Sequence, residues 1–352
     1  MSRNRFLLLL RALHFAKIPE QNAEPSKDRL YKIRSIVNLL NTRLSEIYYP
    51  GREISLDESM VLWRGRLIFR QYIPNKHHKY GIKLYMITTS NGMVLKFMVY
   101  TGMLDDSGGK GHAQKVVMNL LDGMLDLGHS IYLDNYYNNY ELAKCLADRK
   151  THCNGTIRKN RKRFPNEVSN KKLKKGATVA KYANGVMIAK WKDKRDVTYI
   201  SNEYKNDMEE TKNKKGEEKL KPLPVIQYNK FMADIDKQDQ MLAYYPCERK
   251  TIRWPTEIFV HILQLMMMNS HFIYNKYSKK NVSLYDFRLS VIKCLLKQPS
   301  DLRATVRDPT QSKHVLKPCE EKKVQRYNES SAKVAIPKEN VKILSISAKV
   351  IA

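Results

Sequence analysis

Paired cysteines are missing from this 352-residue sequence. Cys145, Cys153, Cys247, Cys294 and Cys319 are scattered, and none stands in a C-x-x-C pair. That excludes zinc-knuckle spacing. An odd, widely spaced set suits reduced thiols inside a cell. Long apolar runs are missing too: residues 6–10 are apolar, but Arg11 follows at once. Such a run is too short for a membrane span or a signal core. There is no internal repeat. Acid is the scarcest commodity, with 35 Asp+Glu against 64 Lys+Arg and a formal net charge of +29.

A compact chain with that charge repels itself unless a polyanion offsets it. Nucleic acid is the expected partner; solvated lysine-rich faces are the plainer alternative. The cations also cluster. Residues 158–175 read RKNRKRFPNEVSNKKLKK, in which Glu167 is the single acid. Arg158, Lys159, Arg161 and Lys162 head this run and suit phosphate binding. The same run would serve as a nuclear address, so the nucleus is the expected compartment. The hydrophobic fraction of 42% is enough for a real core.

Residues 1–50 read as helical, with apolar stripes at Phe6, Leu9, Leu10 and Leu13 and at Ile33, Ile36, Val37 and Leu40. The texture then changes. Residues 53–63, 83–88 and 94–101 are strand-like, and Asn91-Gly92 is a hairpin turn. A helix over 113–127, a buried strand over 130–134, a helix over 141–149 and a strand from 154 follow. This order predicts an α/β chain with a mixed sheet and flanking helices. It is compatible with a ribonuclease-H-like core without selecting it over other α/β folds. Residues 51–158 and 225–280 are read as two parts of that core. Residues 159–224 form a basic, β-rich insertion subdomain with a flexible charged loop over 207–221. Residues 281–352 are expected to be a poorly ordered tail.

Three acidic positions stand out. Asp57 is mid-strand, Asp134 ends the apolar run 131–133, and Asp236 lies in MADIDKQDQM with Asp239 one helical turn later. A carboxylate among strand residues is costly unless compensated, and a divalent cation with oxygen ligands would compensate it. Two such ions ~3.5–4 Å apart can activate an attacking oxygen and stabilise a leaving one. An Asp at a strand end is also commonly a cap or turn former. Glu58 and Asp234 are substitute candidates. Arg64, Arg66, Lys76, Lys79 and Lys83 form a basic strip interleaved with Tyr72 and Tyr80. Such a mix suits phosphates and unpaired bases; a solvated hairpin with core tyrosines is the alternative. Arg249, Lys250 and Arg253 make a second basic run. Trp254 beside them either stacks on a distorted base or anchors its helix, and both readings stay open.

The segment LDESMVLWRGRLIFRQYIPNKHHKYGIKLYMI resembles the first-aspartate signature of piggyBac transposases. YLDNYYNNYELAKCL is similar to the second motif, YNKFMADIDKQDQM to the third and RKTIRWP to the basic run after it. The likeness covers roughly residues 1–277. It implies a ribonuclease-H-like fold with a β-rich insertion. It matches Asp57, Asp134 and Asp236 to the aspartate triad, as catalytic and metal-binding residues, and Asp239 to a further acidic residue nearby. It implies a DNA transposase that uses two Mg²⁺ (or Mn²⁺) ions. Such an enzyme nicks transposon ends, forms a hairpin and joins the 3′-OH to a TTAA target. DNA and a second copy of the chain are the expected partners, with no membrane. A domesticated or truncated form is also expected. The family's acidic N-terminal region and its C-terminal zinc module have no counterpart in this sequence, and no zinc is expected. Asp234 stands where the family usually has Gly. The competing expectation is a non-catalytic DNA-binding protein that keeps the fold.

Overall fold

The computed structural model describes residues 2–17, 24, 26–74, 76, 78–102, 108–212, 216, 218–232, 234–247 and 251–296; the side chains of 234–238 lie outside that set. The N-terminal helices are α1 (Arg3–Ala12) and α2 (Arg34–Ile47). Four strands follow: β1 (Glu53–Leu62), β2 (Gln71–Tyr72), β3 (Tyr80–Thr89) and β4 (Val94–Val99). Next come α3 (His112–Leu120), β5 (Ser130–Leu133), α4 (Tyr140–Asp148) and β6 (His152–Thr156). The insertion supplies α5 (Asn166–Asn170), β7 (Thr178–Ala183), β8 (Val186–Lys192), β9 (Asp196–Ser201), β10 (Met208–Lys212) and β11 (Glu218–Pro222). The chain continues with α6 (Leu223–Phe231), α7 (Asp234–Tyr244), α8 (Trp254–Ser278) and α9 (Leu284–Leu295).

Two compact units result, residues Met1–Ile273 and Tyr274–Ala352. In the first, β3 pairs antiparallel with β1 and β4, while β1, β5 and β6 run parallel. The hairpin between β3 and β4 turns at Gly92, whose φ of +83° is the left-handed region glycine favours. The core order is therefore β4-β3-β1-β5-β6, an antiparallel meander extended by two parallel strands. This is the ribonuclease-H-like sheet. Its faces follow from strand alternation. Tyr85 and Ile87 of β3 turn to a core shared with Val116, Val117 and Leu120 of α3 and Leu142 and Leu146 of α4. Leu84 and Met86 turn to the opposite core, shared with Val37, Leu40 and Leu44 of α2 and Ile258, Ile262 and Leu265 of α8. Among the described residues no helix is long and apolar enough to cross a membrane.

The insertion is not detached from this sheet. β9 pairs antiparallel with β6, and β8 and β7 extend the row outward. Residues 207–221 are likewise more than a loop: β10 and β11 pair antiparallel from Met208↔Pro222 to Lys212↔Glu218. Their residues are charged and mostly exposed, so hydrophobic pattern gives no clue to the pairing. In the second unit, Ser283 caps α9 and the Tyr274 and Phe287 rings stand 5.4 Å apart. Residues 297–352 lie outside the described residues.

Candidate active site

The parallel β1–β5 ladder sets the site. It pairs Leu56 with Leu133, so the next residues, Asp57 and Asp134, leave it side by side. Asp134 accepts a hydrogen bond from the backbone N–H of Tyr136 at 2.7 Å, which shapes the turn after β5. Further along that turn, Asn138 is fully buried. Its Nδ2 donates to Leu133 O and Thr156 O, both at 2.9 Å, and ties β5 to β6 behind the carboxylate. Arg161 donates to the carbonyls of Asn135 (3.1 Å) and Tyr136, and Arg158 Nε to Asn135 Oδ1 (2.8 Å). Sequence reasoning gave these arginines to DNA; the structure uses both to clasp the Asp134 turn.

Asp57 and Glu58 are half-buried neighbours on β1. Burial pushes the Asp57 carboxyl up to about 7, with Glu58 beside it adding to the rise and Lys76 opposing it. Burial raises Asp134 as well, against the Tyr136 amide that lowers it. Lys76 Nζ stands 3.1 Å from Asp57 Oδ2. Glu58 Oε2 accepts from the Tyr137 hydroxyl at 3.0 Å and lies 4.0 Å from Lys83 Nζ. Lys83, read from the sequence as part of a basic strip for phosphates, is turned inward. It is only 7% exposed. Its ammonium sits over the rings of Tyr85 (4.6 Å) and Tyr136 (4.8 Å). Burial holds its pKa below the ordinary lysine value, and the carboxylates of Glu58, Asp57 and Asp134 only partly oppose that. It is an internal counter-charge for the acidic cluster. Alternation along β3 could have signalled this, since Lys83 shares a face with Tyr85 and Ile87.

The third acidic element reaches the sheet on α7. Ser59, two residues beyond Asp57, donates to Asp239 Oδ1 at 2.6 Å. Asp239 therefore latches α7 to β1, and Asp236 lies one helical turn earlier in the same helix. The side chains of Asp236 and Asp234 lie outside the described residues. Among the described residues no group of three His, Cys, Asp or Glu side chains is placed to hold a metal ion. The donors that are in view, buried carboxylates on adjacent strands, are hard oxygen ligands of the kind Mg²⁺ and Mn²⁺ take.

The family model described as Transposase IS4 matches residues 1–271. The chain belongs to that family. It is 24% identical over 312 residues to human PiggyBac transposable element-derived protein 3, covering 83% of this chain and 51% of the relative. It is 24% identical to human PiggyBac transposable element-derived protein 2 over 292 residues, 76% of this chain and 48% of that one. The chain thus spans about half the length of these curated relatives. A solved piggyBac transposase, in a synaptic complex with hairpin DNA, superposes with a TM-score of 0.75 at 28% identity over 88% of this chain and 66% of its own. The likeness to piggyBac transposases extends from the sequence motifs to the fold.

The remaining basic residues divide by exposure. Arg64, Arg66, Lys79, Lys159 and Lys162 are exposed, with Lys159 ion-paired to Asp196 at 2.9 Å. Arg253 is committed within the chain: it donates to the carbonyls of Arg11 (2.9 Å) and Leu13 at the end of α1. Trp254 starts α8 and meets Phe69 edge-on at 5.4 Å against the core behind β3, the anchoring one of its two readings. Arg249 and Lys250 lie outside the described residues.

Proposed function

We propose that this chain is the core of a divalent-metal-dependent DNA strand-transferase, cutting at transposon ends and joining them to TTAA targets in the nucleus. One observation carries the reading. Asp57 and Asp134 emerge side by side from adjacent parallel strands, and a helix bearing Asp236 is latched beside them through Asp239 and Ser59. Asp57, Asp134 and Asp236 would hold the ions. Bound Mg²⁺ would supply Lewis-acid stabilisation of charge on the phosphoryl oxygens. The protein's own part is positioning. Asn138 and Arg161 fix the Asp134 turn, while Lys76 and Lys83 balance the carboxylates. The exposed Arg64 and Arg66, with the exposed Lys159 and Lys162, would take the DNA backbone.

A second reading keeps DNA binding and loses cleavage. It is favoured by the two lysines that already neutralise the carboxylates, and by curated relatives described as transposable element-derived. A nicking assay separates the two. Purified protein with Mg²⁺ or Mn²⁺ is expected to nick DNA carrying matching ends. Asp134→Asn is expected to lower the rate about a thousandfold or more, the equivalent of several kcal/mol of transition-state stabilisation. Salt-sensitive binding without nicking in the unaltered protein would establish the binder instead.

Arg253 gives a further check. A phosphate contact removed by Arg253→Ala would flatten the salt dependence of DNA affinity by about one unit of log–log slope. Because its guanidinium holds the end of α1, the expected result is an unchanged slope with a lower melting temperature.

A further inference from the structure

The hairpin that reaches into the site carries an exposed pair of aromatic rings. Tyr72 on β2 and Tyr80 on β3 are direct cross-strand partners. Their centroids lie 4.6 Å apart with planes inclined by 35°. Cross-strand aromatic pairs hold each other in register. This pair does so in the open, with Tyr72 56% and Tyr80 49% exposed, and Ile68 nearby is 84% exposed. Arg70 stands over the Tyr80 ring at 5.7 Å and is itself fixed by hydrogen bonds to the carbonyls of Arg64 (3.0 Å) and Gly65 (3.3 Å). Residues 59–104 contain no Asp or Glu. The surroundings of the pair are therefore cationic: Arg64, Arg66, Arg70 and Lys79 are all exposed. The same hairpin loop sends Lys76 to Asp57 at 3.1 Å, so the rings sit four residues to either side of a side chain that touches the candidate catalytic cluster.

Two rings stacked obliquely in water, on a stretch of chain that carries cations and no acid, are poorly matched to an apolar protein partner. They match the flat face of a nucleobase whose flanking phosphates reach the arginines. A paired base inside a duplex keeps its faces covered by its neighbours, so the base must be unpaired. We propose that Tyr72 and Tyr80 form a stacking platform for an unpaired DNA base next to the phosphate presented to Asp57. The proposal rests on the DNA-binding reading above. It adds the state of the substrate this face selects: strand-separated or mismatched DNA rather than continuous duplex.

The test compares two duplex oligonucleotides of identical flanks, one fully paired and one with a four-nucleotide unpaired bubble containing 2-aminopurine. The full protein is expected to bind the bubble on the order of tenfold more tightly or better, and to quench 2-aminopurine fluorescence on binding. Tyr72→Ala with Tyr80→Ala is expected to collapse the bubble-to-duplex ratio toward one. Tyr72→Phe with Tyr80→Phe, which keeps both rings, is expected to retain it. Equal affinity for the two probes in the unaltered protein, or quenching unaffected by the Ala pair, would overturn the proposal. Should the Ala pair not fold, quenching and the affinity ratio in the unaltered protein still decide. Failure of metal-dependent nicking with the ratio intact would count against the strand-transfer reading alone.

Discussion

Asp57→Asn is expected to abolish the metal-dependent cleavage proposed above and, at the same time, to flatten the pH dependence of the metal-free fold over a range where the unaltered protein weakens. The two effects share a cause. Burial drives the Asp57 carboxyl up to about 7, and the Lys76 ammonium at 3.1 Å only partly offsets it. In the unfolded chain the group titrates near ~3.9. The folded state therefore holds this proton the more tightly. Stability from the group is complete below about pH 4 and is lost as pH rises toward about 7, with a plateau beyond. In chelator the unaltered protein should lose a few kcal/mol of stability across that window. Asn cannot ionise, so the variant should lose this part of the slope and keep only what the raised Asp134 carboxyl adds. Added Mg²⁺ should raise the melting temperature of the unaltered protein at pH 7.5 and leave that of the variant nearly unmoved. Lys76 loses the Asp57 carboxylate in the variant, but its long stem sits on a hairpin loop and can turn to water. Melting curves from pH 4 to 8, with and without Mg²⁺, read all of this. A variant with the same pH slope as the unaltered protein would sink the account.

Gly155→Ala should be as damaging to the fold as Asp57→Asn is to the chemistry. Gly155 faces Leu133 across the parallel β5–β6 ladder. A Cβ at this position would stand 1.9 Å from Leu133 O and 2.5 Å from Asn138 Nδ2. Neither obstacle can give way. Leu133 O is part of the β5 backbone and accepts from Asn138, which simultaneously donates to Thr156 O. Relief requires the two strands to part or the buried amide to lose its acceptors. Both routes cost about 4 kcal/mol or more, at the extreme of single substitutions. Asp134 follows Leu133 directly, so any surviving protein should also be inactive. Gly51→Ala is the control: nothing lies within 4 Å of a Cβ there. Thermal melts should place Gly51→Ala within about 0.5 kcal/mol of the parent. Finding Gly155→Ala equally benign would refute the close-packed ladder.

The sheet core was legible because its strands are largely buried and rich in apolar, β-branched and aromatic residues. The strands predicted over 53–63, 83–88, 94–101 and 130–134 match β1, β3, β4 and β5 closely. Asp134 was legible because it ends the apolar run 131–133, and Asp57 because it sits mid-strand between Leu56 and the apolar residues 60–62. What escaped was pairing without hydrophobic pattern. β2 is two residues long, and β10 and β11 alternate charge with charge. The joining of β9 to β6 depends on the edge left free by β6, which no local pattern reports. Among the cations, sequence could not separate Lys83, Arg161 and Arg253, whose charges serve internal carbonyls and carboxylates, from Arg64 and Arg66, which face water. Asn138 gave no signal at all, since a buried amide bridging two strands looks in sequence like any turn residue.

The latch between Asp239 and Ser59 has a consequence for the order in which a growing polypeptide can become reactive. The strands bearing Asp57 and Asp134 are complete once β5 and β6 have been made, but α7 is synthesised only after the whole inserted β7–β11 region. Domains fold as units, and the unit that holds the site runs from Met1 to Ile273, with Ile258, Ile262 and Leu265 of α8 completing the core behind β3, so the early strands settle only once α7 and α8 have been made. A nascent chain is consequently a basic body that lacks the third acidic element until α7 has emerged. Translation itself postpones assembly of the acidic cluster until the helices after the insertion arrive.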